Sequence, residues 1–293
     1  PSLDVLDLDY SEGGEALGTR SFGENPYWVG KLGQAYIEGV HTGSEGKLLV
    51  VATHFPGQGS SDRNPADEIA VVSKSYAQLL AEDLAPFFSV TGKATNPSST
   101  ADGLLAAHLR YESLQGSIRS STRPFSLDSS AVEQVMSLPE LSGWRSNGGI
   151  LISENLGSNS IRKFYDPNNL SFDARQVARN AIISGMDLLY LDDFVATGDI
   201  DQATTVIRTL DFFVQKYMED SAFSQRVDTS VKRILAKKFS LYGGFNPAEV
   251  TSSEANLADL GKSSAVSFEV AQRGITLLHP SADDYVAAIP SAP

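Results

Sequence analysis

Several apolar runs in this chain stop at a side chain that could move a proton or attack covalently. LLVVATHF ends near His54 and opens into the Gly/Pro loop PGQGSSDRNPADE, which carries Asp62, Asp67 and Glu68. The run from Gly103, GLLAAHLRY, delivers His108, and the run from Gly148, GGILISENLG, ends in Ser153, Glu154 and Asn155. A further run, GMDLLYLDDF, begins beside Asp187 and ends in Asp192 and Asp193; those three read as strand-end hydrogen-bonding groups. Carboxylates and histidines exchange protons near neutral pH, and a carboxylate can also act as a covalent nucleophile.

Other chemistries lack their residues. No apolar run ends in the lysine that a Schiff-base enzyme needs. Gly57 and Gly59 could suggest a phosphate loop, but no Gly-Lys-Ser/Thr is present. His41 and His279 have no partners at metal-ligand spacing, so neither a metal nor another cofactor is expected.

Groups placed in this way need strands to hold them. The runs are short, continuous and apolar, as in strands buried on both faces of a parallel sheet. A fifth, SLDVLDLD, alternates apolar and acidic residues near the start of the chain. Helical stretches separate the runs. In NPYWVGKLGQAYIEGV, Val29, Leu32, Ala35, Tyr36 and Val40 have helical spacing, with Asn25 as N-cap and Pro26 at the first helical position. Val71 to Phe88 reads as one helix, SSAVEQVMSLPEL as another with Ser130 and Glu133 at capping-box spacing, and 173–184, 200–218 and 221–238 as three more. The Ser/Arg-rich tract 117–128 reads as loop. Residues 251–293 read as a separate segment with one amphipathic helix, the short apolar stretch ITLL and a Pro/Ala tail.

Strand and helix therefore alternate with short links, which predicts a parallel sheet covered by helices. Its five strands begin near Leu3, Leu48, Leu104, Gly149 and Asp187. Polar groups at the carboxyl ends of such strands are how an α/β barrel places its chemistry, although a closed barrel takes eight strands.

Composition narrows the partners. With 293 residues, 41% of them hydrophobic, the chain can bury a large core. The net charge is −13 and the basic residues form no cluster along the sequence, which argues against nucleic acid. Absence of cysteine removes disulfides, thiolate nucleophiles and cysteine zinc sites. No apolar run approaches the ~20 residues of a membrane-spanning helix, and PSLDVLDLDY is no signal peptide. Because the sequence does not begin with methionine, an upstream signal and a secreted or cell-surface location stay open.

Seven motifs in order, GTRSFGENP (18–26), THFPGQG (53–59), DLAPF (83–87), AAHL (106–109), ISENL (152–156), SGMDLLYL (184–191) and RVDTSVKRILAKK (226–238), resemble glycoside hydrolase family 3, specifically its β-N-acetylhexosaminidase branch. RGITLL (273–278) resembles the linker strand that follows the barrel in longer members. The resemblance implies a (β/α)8 TIM-type barrel of which residues 1–250 supply strands four to eight, the first three strands having no counterpart. Five strands of a barrel leave open hydrogen-bonding edges, so the missing N-terminal segment is expected elsewhere, on this polypeptide or on a partner chain. It also implies a carbohydrate ligand of the N-acetylglucosamine type.

Carried over residue by residue, the resemblance places Arg20, His54 and His108 where the family contacts its sugar. Retaining glycoside hydrolysis needs a carboxylate nucleophile and a proton-transfer group ~5 Å away. The family's Ser-Asp-Asp-Leu nucleophile motif reads Ser153-Glu154-Asn155-Leu156, one methylene longer at the nucleophile position. The family's Asp-Ser-His acid/base element aligns with Asn64, Pro65 and Ala66, and neither Asn64 nor Ala66 can exchange a proton near neutral pH. The lysine before His54 is Thr53 and the second histidine of the motif is Gln58. Two readings follow. One is a degenerate glycosidase relative with weak or no hydrolysis, binding a glycan or a protein. The other is an active retaining glycosidase with Glu154 as nucleophile and Asp62, Asp67 or Glu68 as replacement acid/base.

Overall fold

The computed structural model describes residues 2–3, 20–244, 246–247 and 261–274. In chain order its first elements are strand β1 (Ser2–Leu3), helix α1 (Pro26–Gly43), strands β2 (Val51–Phe55) and β3 (Val71–Val72), and helices α2 (Tyr76–Ala81) and α3 (Leu84–Ser89). Strands β4 (Gly103–Ala106) and β5 (Arg110–Tyr111) follow, then helices α4 (Glu112–Gln115), α5 (Ser129–Met136) and α6 (Pro139–Ser146). Strand β6 (Ile150–Ser153), helices α7 (Asn159–Tyr165) and α8 (Ala174–Ser184), strand β7 (Leu188–Leu189), and helices α9 (Gln202–Glu219) and α10 (Ser221–Tyr242) complete the unit that ends at Gly243. A second unit starts at Gly244; its described helix is α11 (Ser264–Gly274). The ITLL stretch and His279 lie outside the described residues.

The five predicted runs are the five strands of one parallel sheet in the order β1-β2-β4-β6-β7, a TIM-type α/β arrangement whose sheet is open. Its register puts Phe55 beside Ala106, Ala106 beside Ser153 and Ser153 beside Leu189. The strands thus end in a single row, and whatever follows each of them emerges at the same edge. The ladder between β2 and β4 is irregular between Ala52 and Phe55, where His54 sits.

At the opposite, amino-terminal edge, two aspartates tie the sheet to α10. Asp102 accepts hydrogen bonds from the Val50 amide at 2.9 Å, His41 Nε2 at 2.9 Å and Lys237 Nζ at 2.7 Å. Asp187, with its carboxylate fully buried, accepts from the Leu151 amide, Ser230 Oγ, Arg226 and Arg145. Burial pushes the Asp187 carboxyl up, but Arg145, Ser230 and the Leu151 amide more than reverse this and hold it below the usual carboxylate range. The motif RVDTSVKRILAKK supplies the cations that dock α10 on these carboxylates.

Local sequence explains most helix starts. Asn25 caps α1 through the amides of Tyr27 and Trp28, with Pro26 at the first position as predicted. Its buried face differs from the predicted stripe: Val29, Gly33 and Ile37 point inward, whereas Leu32 and Tyr36 are exposed. Glycine 33 lets α1 approach its neighbour along that face. Predicted as one helix, 71–88 is instead β3 followed by two short helices. Ser75 and Gln78 form a capping box that starts α2, and Pro86, having no amide hydrogen, cannot join α3 to the turn before it. Helix α5 is capped by Asp128 rather than Ser130. Inside the sheet's covering layer, Phe55 meets Phe87 and Phe125 edge-to-face at 5.4 and 5.7 Å, and Tyr111 meets Phe125 at 5.8 Å.

Candidate functional site at the carboxyl edge of the sheet

The turn after β2 is stiff. Gly57 has φ +134°, and a Cβ there would lie 2.5 Å from Asp83 Cβ, so only glycine fits against the start of α3. Tyr111 Oη donates to the Gly57 carbonyl at 2.8 Å, and Lys74 Nζ lies 2.7 Å from Asp83. His54 is half-buried just before this turn, Thr53 is buried beneath it and Gln58 is half-buried within it. Arg20 is exposed at the start of the continuous described region.

The segment aligned with the family's acid/base element is a closed turn. Asn64 Oδ1 accepts from the Ala66 amide at 2.8 Å, and the Asn64 carbonyl accepts from Asp67 at 3.2 Å. Arg63 clasps two of the three candidate acids: its Nη2 lies 2.7 Å from Asp62 and its Nη1 3.3 Å from Glu68. Asp62 also accepts the Val71 amide at 2.7 Å, which joins the loop to β3. Partial burial raises the Asp62 carboxyl, but Arg63 and the Val71 amide lower it further, and it stays below the usual carboxylate range. An anion held in this way is a poor proton donor. Asp67 is exposed on the turn.

Glu154 and His108 are brought together by adjacent strands. The Glu154 amide continues the ladder by donating to the Ala106 carbonyl at 3.1 Å, and its side chain turns back so that Oε2 accepts the His108 amide at 2.8 Å. His108 is 1% exposed. Its Nε2 lies 3.0 Å from the Asn155 carbonyl and its Nδ1 2.6 Å from Ser126 Oγ. A carbonyl can only accept, so Nε2 carries the hydrogen and Nδ1 accepts from the Ser126 hydroxyl. Burial pushes the imidazole pKa down, with the Glu154 charge acting against it. His108 therefore stands as a neutral strut between the ends of β4 and β6, with both ring nitrogens engaged within the protein.

Asn155, at the second acidic position of the family motif, is a loop organiser. Its Oδ1 accepts from the Gly157 amide at 3.0 Å and the Asp192 amide at 2.9 Å, joining the segments after β6 and β7. An aspartate could accept both bonds equally well, so the amide removes a charge from the edge while keeping the architecture. Among the described residues, no group of three or more His, Asp or Glu side chains is arranged to hold a metal.

One set of side chains escaped the sequence. Arg63, Arg110, Arg123 and Lys163 line one cleft of about 790 Å³ together with Glu68, Phe164 and Tyr165. They are spread over a hundred residues and share no motif, so the expectation that basic residues form no cluster holds along the chain and fails in space. The only local hint was the Ser/Arg-rich tract that contains Arg123.

The glycosyl hydrolase family 3 N terminal domain model matches residues 3–236. A β-hexosaminidase of Hydrogenovibrio crunogenus is 32% identical over 107 residues, covering 36% of this chain and 27% of that protein. A β-hexosaminidase of Xylella fastidiosa strain M23 is 26% identical over 155 residues, covering 53% of this chain and 40% of that protein. Among solved structures, a glycoside hydrolase family 3 β-N-acetylglucosaminidase from Paenibacillus sp. strain FPU-7 superposes with a TM-score of 0.69 at 23% identity, covering 95% of this chain and 46% of that one. The chain spans less than half the length of each of these relatives.

Proposed function

The chain belongs to the glycosyl hydrolase family 3 N terminal domain family, and from that premise we propose that it is a β-hexosaminidase-like protein that binds an N-acetylglucosamine-type sugar at the carboxyl edge of its sheet with little or no hydrolysis. The observation that carries this reading is the Glu154 carboxylate, one oxygen of which is occupied by the His108 amide. A retaining nucleophile must reach the anomeric carbon opposite a proton donor. The turn that would hold that donor presents Asn64 and Ala66, and Asp62 is kept ionised by Arg63. Removing both partners of a two-carboxylate mechanism forfeits orders of magnitude in rate.

The test is hydrolysis of an aryl N-acetyl-β-glucosaminide by the 293-residue chain, alongside calorimetry with chitooligosaccharide. Sugar binding without turnover supports the proposal. Turnover that disappears in Glu154→Gln would replace it with the active-glycosidase reading, in which Asp67 becomes the acid/base to test next, since Asp62 and Glu68 are both held by Arg63.

The edge of the sheet also bears on function. Leu188 and Tyr190 on the outer strand are 39% and 48% exposed, and Ile207, Leu210 and Val214 form an exposed apolar row on α9. Further strand-helix units, on the same polypeptide or on a partner chain, would cover these groups and close the sheet. Among the described residues no helix is long and apolar enough to cross a membrane.

A further inference from the structure

The cleft lined by Arg63, Arg110, Arg123 and Lys163 lies outside the Glu154 and His108 site, yet its walls come from segments that leave the same edge of the sheet. Arg63 and Glu68 follow β2, Arg110 and Arg123 follow β4, and Lys163 follows β6 on α7. Its charges are not balanced. Arg63 is matched by Asp62 and Glu68, and Lys163 lies 3.7 Å from Glu68. Arg110 and Arg123 make no ion pair among the described residues. Arg110 is held in place without being neutralised: Nε donates to the Thr122 carbonyl at 2.7 Å and Nη2 to the Ser120 carbonyl at 2.9 Å, while its guanidinium lies 5.3 Å from the Phe164 ring centre. Burial and the neighbouring Arg63 charge both push its pKa down, the sign of a guanidinium that would gain from a nearby anion.

Unmatched cations converging in one cleft stand out in a chain of net charge −13. Guanidinium groups bind carboxylate and sulfate oxygens through paired N–H donors, and the Phe164 and Tyr165 rings offer flat apolar faces beside them. About 790 Å³ is room for more than a single inorganic ion. We propose that this cleft binds an acidic oligosaccharide, its carboxylate or sulfate groups held by Arg110 and Arg123 with Lys163 at the rim. The choice of a saccharide rests on the carbohydrate reading above; the choice of an anion rests on the cleft alone.

Calorimetry on the 293-residue chain with a galacturonate trisaccharide, a sulfated chitotriose and neutral chitotriose tests this. At least one charged sugar should bind, added salt should weaken it, and an Arg123→Gln/Lys163→Gln double variant should bind it about tenfold or more weakly. Which charged sugar binds decides between carboxylate and sulfate. Neutral chitotriose should bind the variant as it binds the parent chain. Both replaced side chains are exposed, so melting curves should coincide; Arg123→Gln alone is the second variant if they do not. The proposal is overturned if neither charged sugar binds, or if the variants bind them unchanged. Charged-sugar binding that is lost in the variant while chitotriose never binds would sink the N-acetylglucosamine reading and keep the cleft. The reverse pattern would sink the cleft alone.

Discussion

Glu154 Oε2 accepts the backbone amide hydrogen of His108 at 2.8 Å, so the group at the nucleophile position of the family also fastens the end of β6 to the end of β4. Glu154→Ala would leave a buried amide without its acceptor and should lower stability by about 1–3 kcal/mol. Glu154→Gln keeps a carbonyl acceptor and should cost clearly less. Paired urea melts of the two variants measure the difference; equal losses would remove the fastening role.

His108 is predicted to remain neutral, with its hydrogen on Nε2, through the range where exposed histidines titrate. Its folded pKa lies below the unfolded one because burial disfavours the cation. The sign follows from linkage: as pH falls through the unfolded histidine pKa toward the folded one, the unfolded chain takes up a proton the folded chain refuses, and stability declines. Nitrogen-15 NMR of the imidazole checks both statements. Ser126→Ala removes the hydroxyl 2.6 Å from Nδ1 and should destabilise by about 1 kcal/mol or more.

Asp187→Ala should be the most damaging single change at the amino-terminal edge, costing about 3–5 kcal/mol, because it leaves Arg145 and Arg226 without their shared carboxylate in a part-buried setting. The parent chain should also lose stability in acid. The depressed Asp187 pKa contributes stability that is complete above the ordinary carboxylate range and disappears as pH falls through the folded pKa. Urea melts across that range should show a shallower acid loss in Asp187→Asn than in the parent.

Gly157→Ala should destabilise by about 1–3 kcal/mol, since the added Cβ would lie 1.9 Å from the Asp192 carbonyl oxygen and force apart the segments after β6 and β7. Thermal melting reads the loss. If the variant melts like the parent, those two segments are not packed as described.

The apolar runs, their alternation with helices and the ordered motifs were enough to determine five parallel strands, a TIM-type fold and the family. Strand runs are read locally, because continuous burial on both faces leaves a continuous apolar signature, and the Asn25-Pro26 start of α1 is likewise a matter of neighbouring residues. The sequence also showed that Asn64 and Ala66 replace proton-transfer groups. It could not show that Arg63 occupies Asp62 and Glu68, that Glu154 folds back onto the His108 amide, or that His108 is a buried strut. Those facts depend on side chains from segments tens of residues apart, and so does the gathering of Arg63, Arg110, Arg123 and Lys163 around one cleft. The physical reason is that strand order and register decide which loops meet at the carboxyl edge, and neither is written in any one stretch of chain.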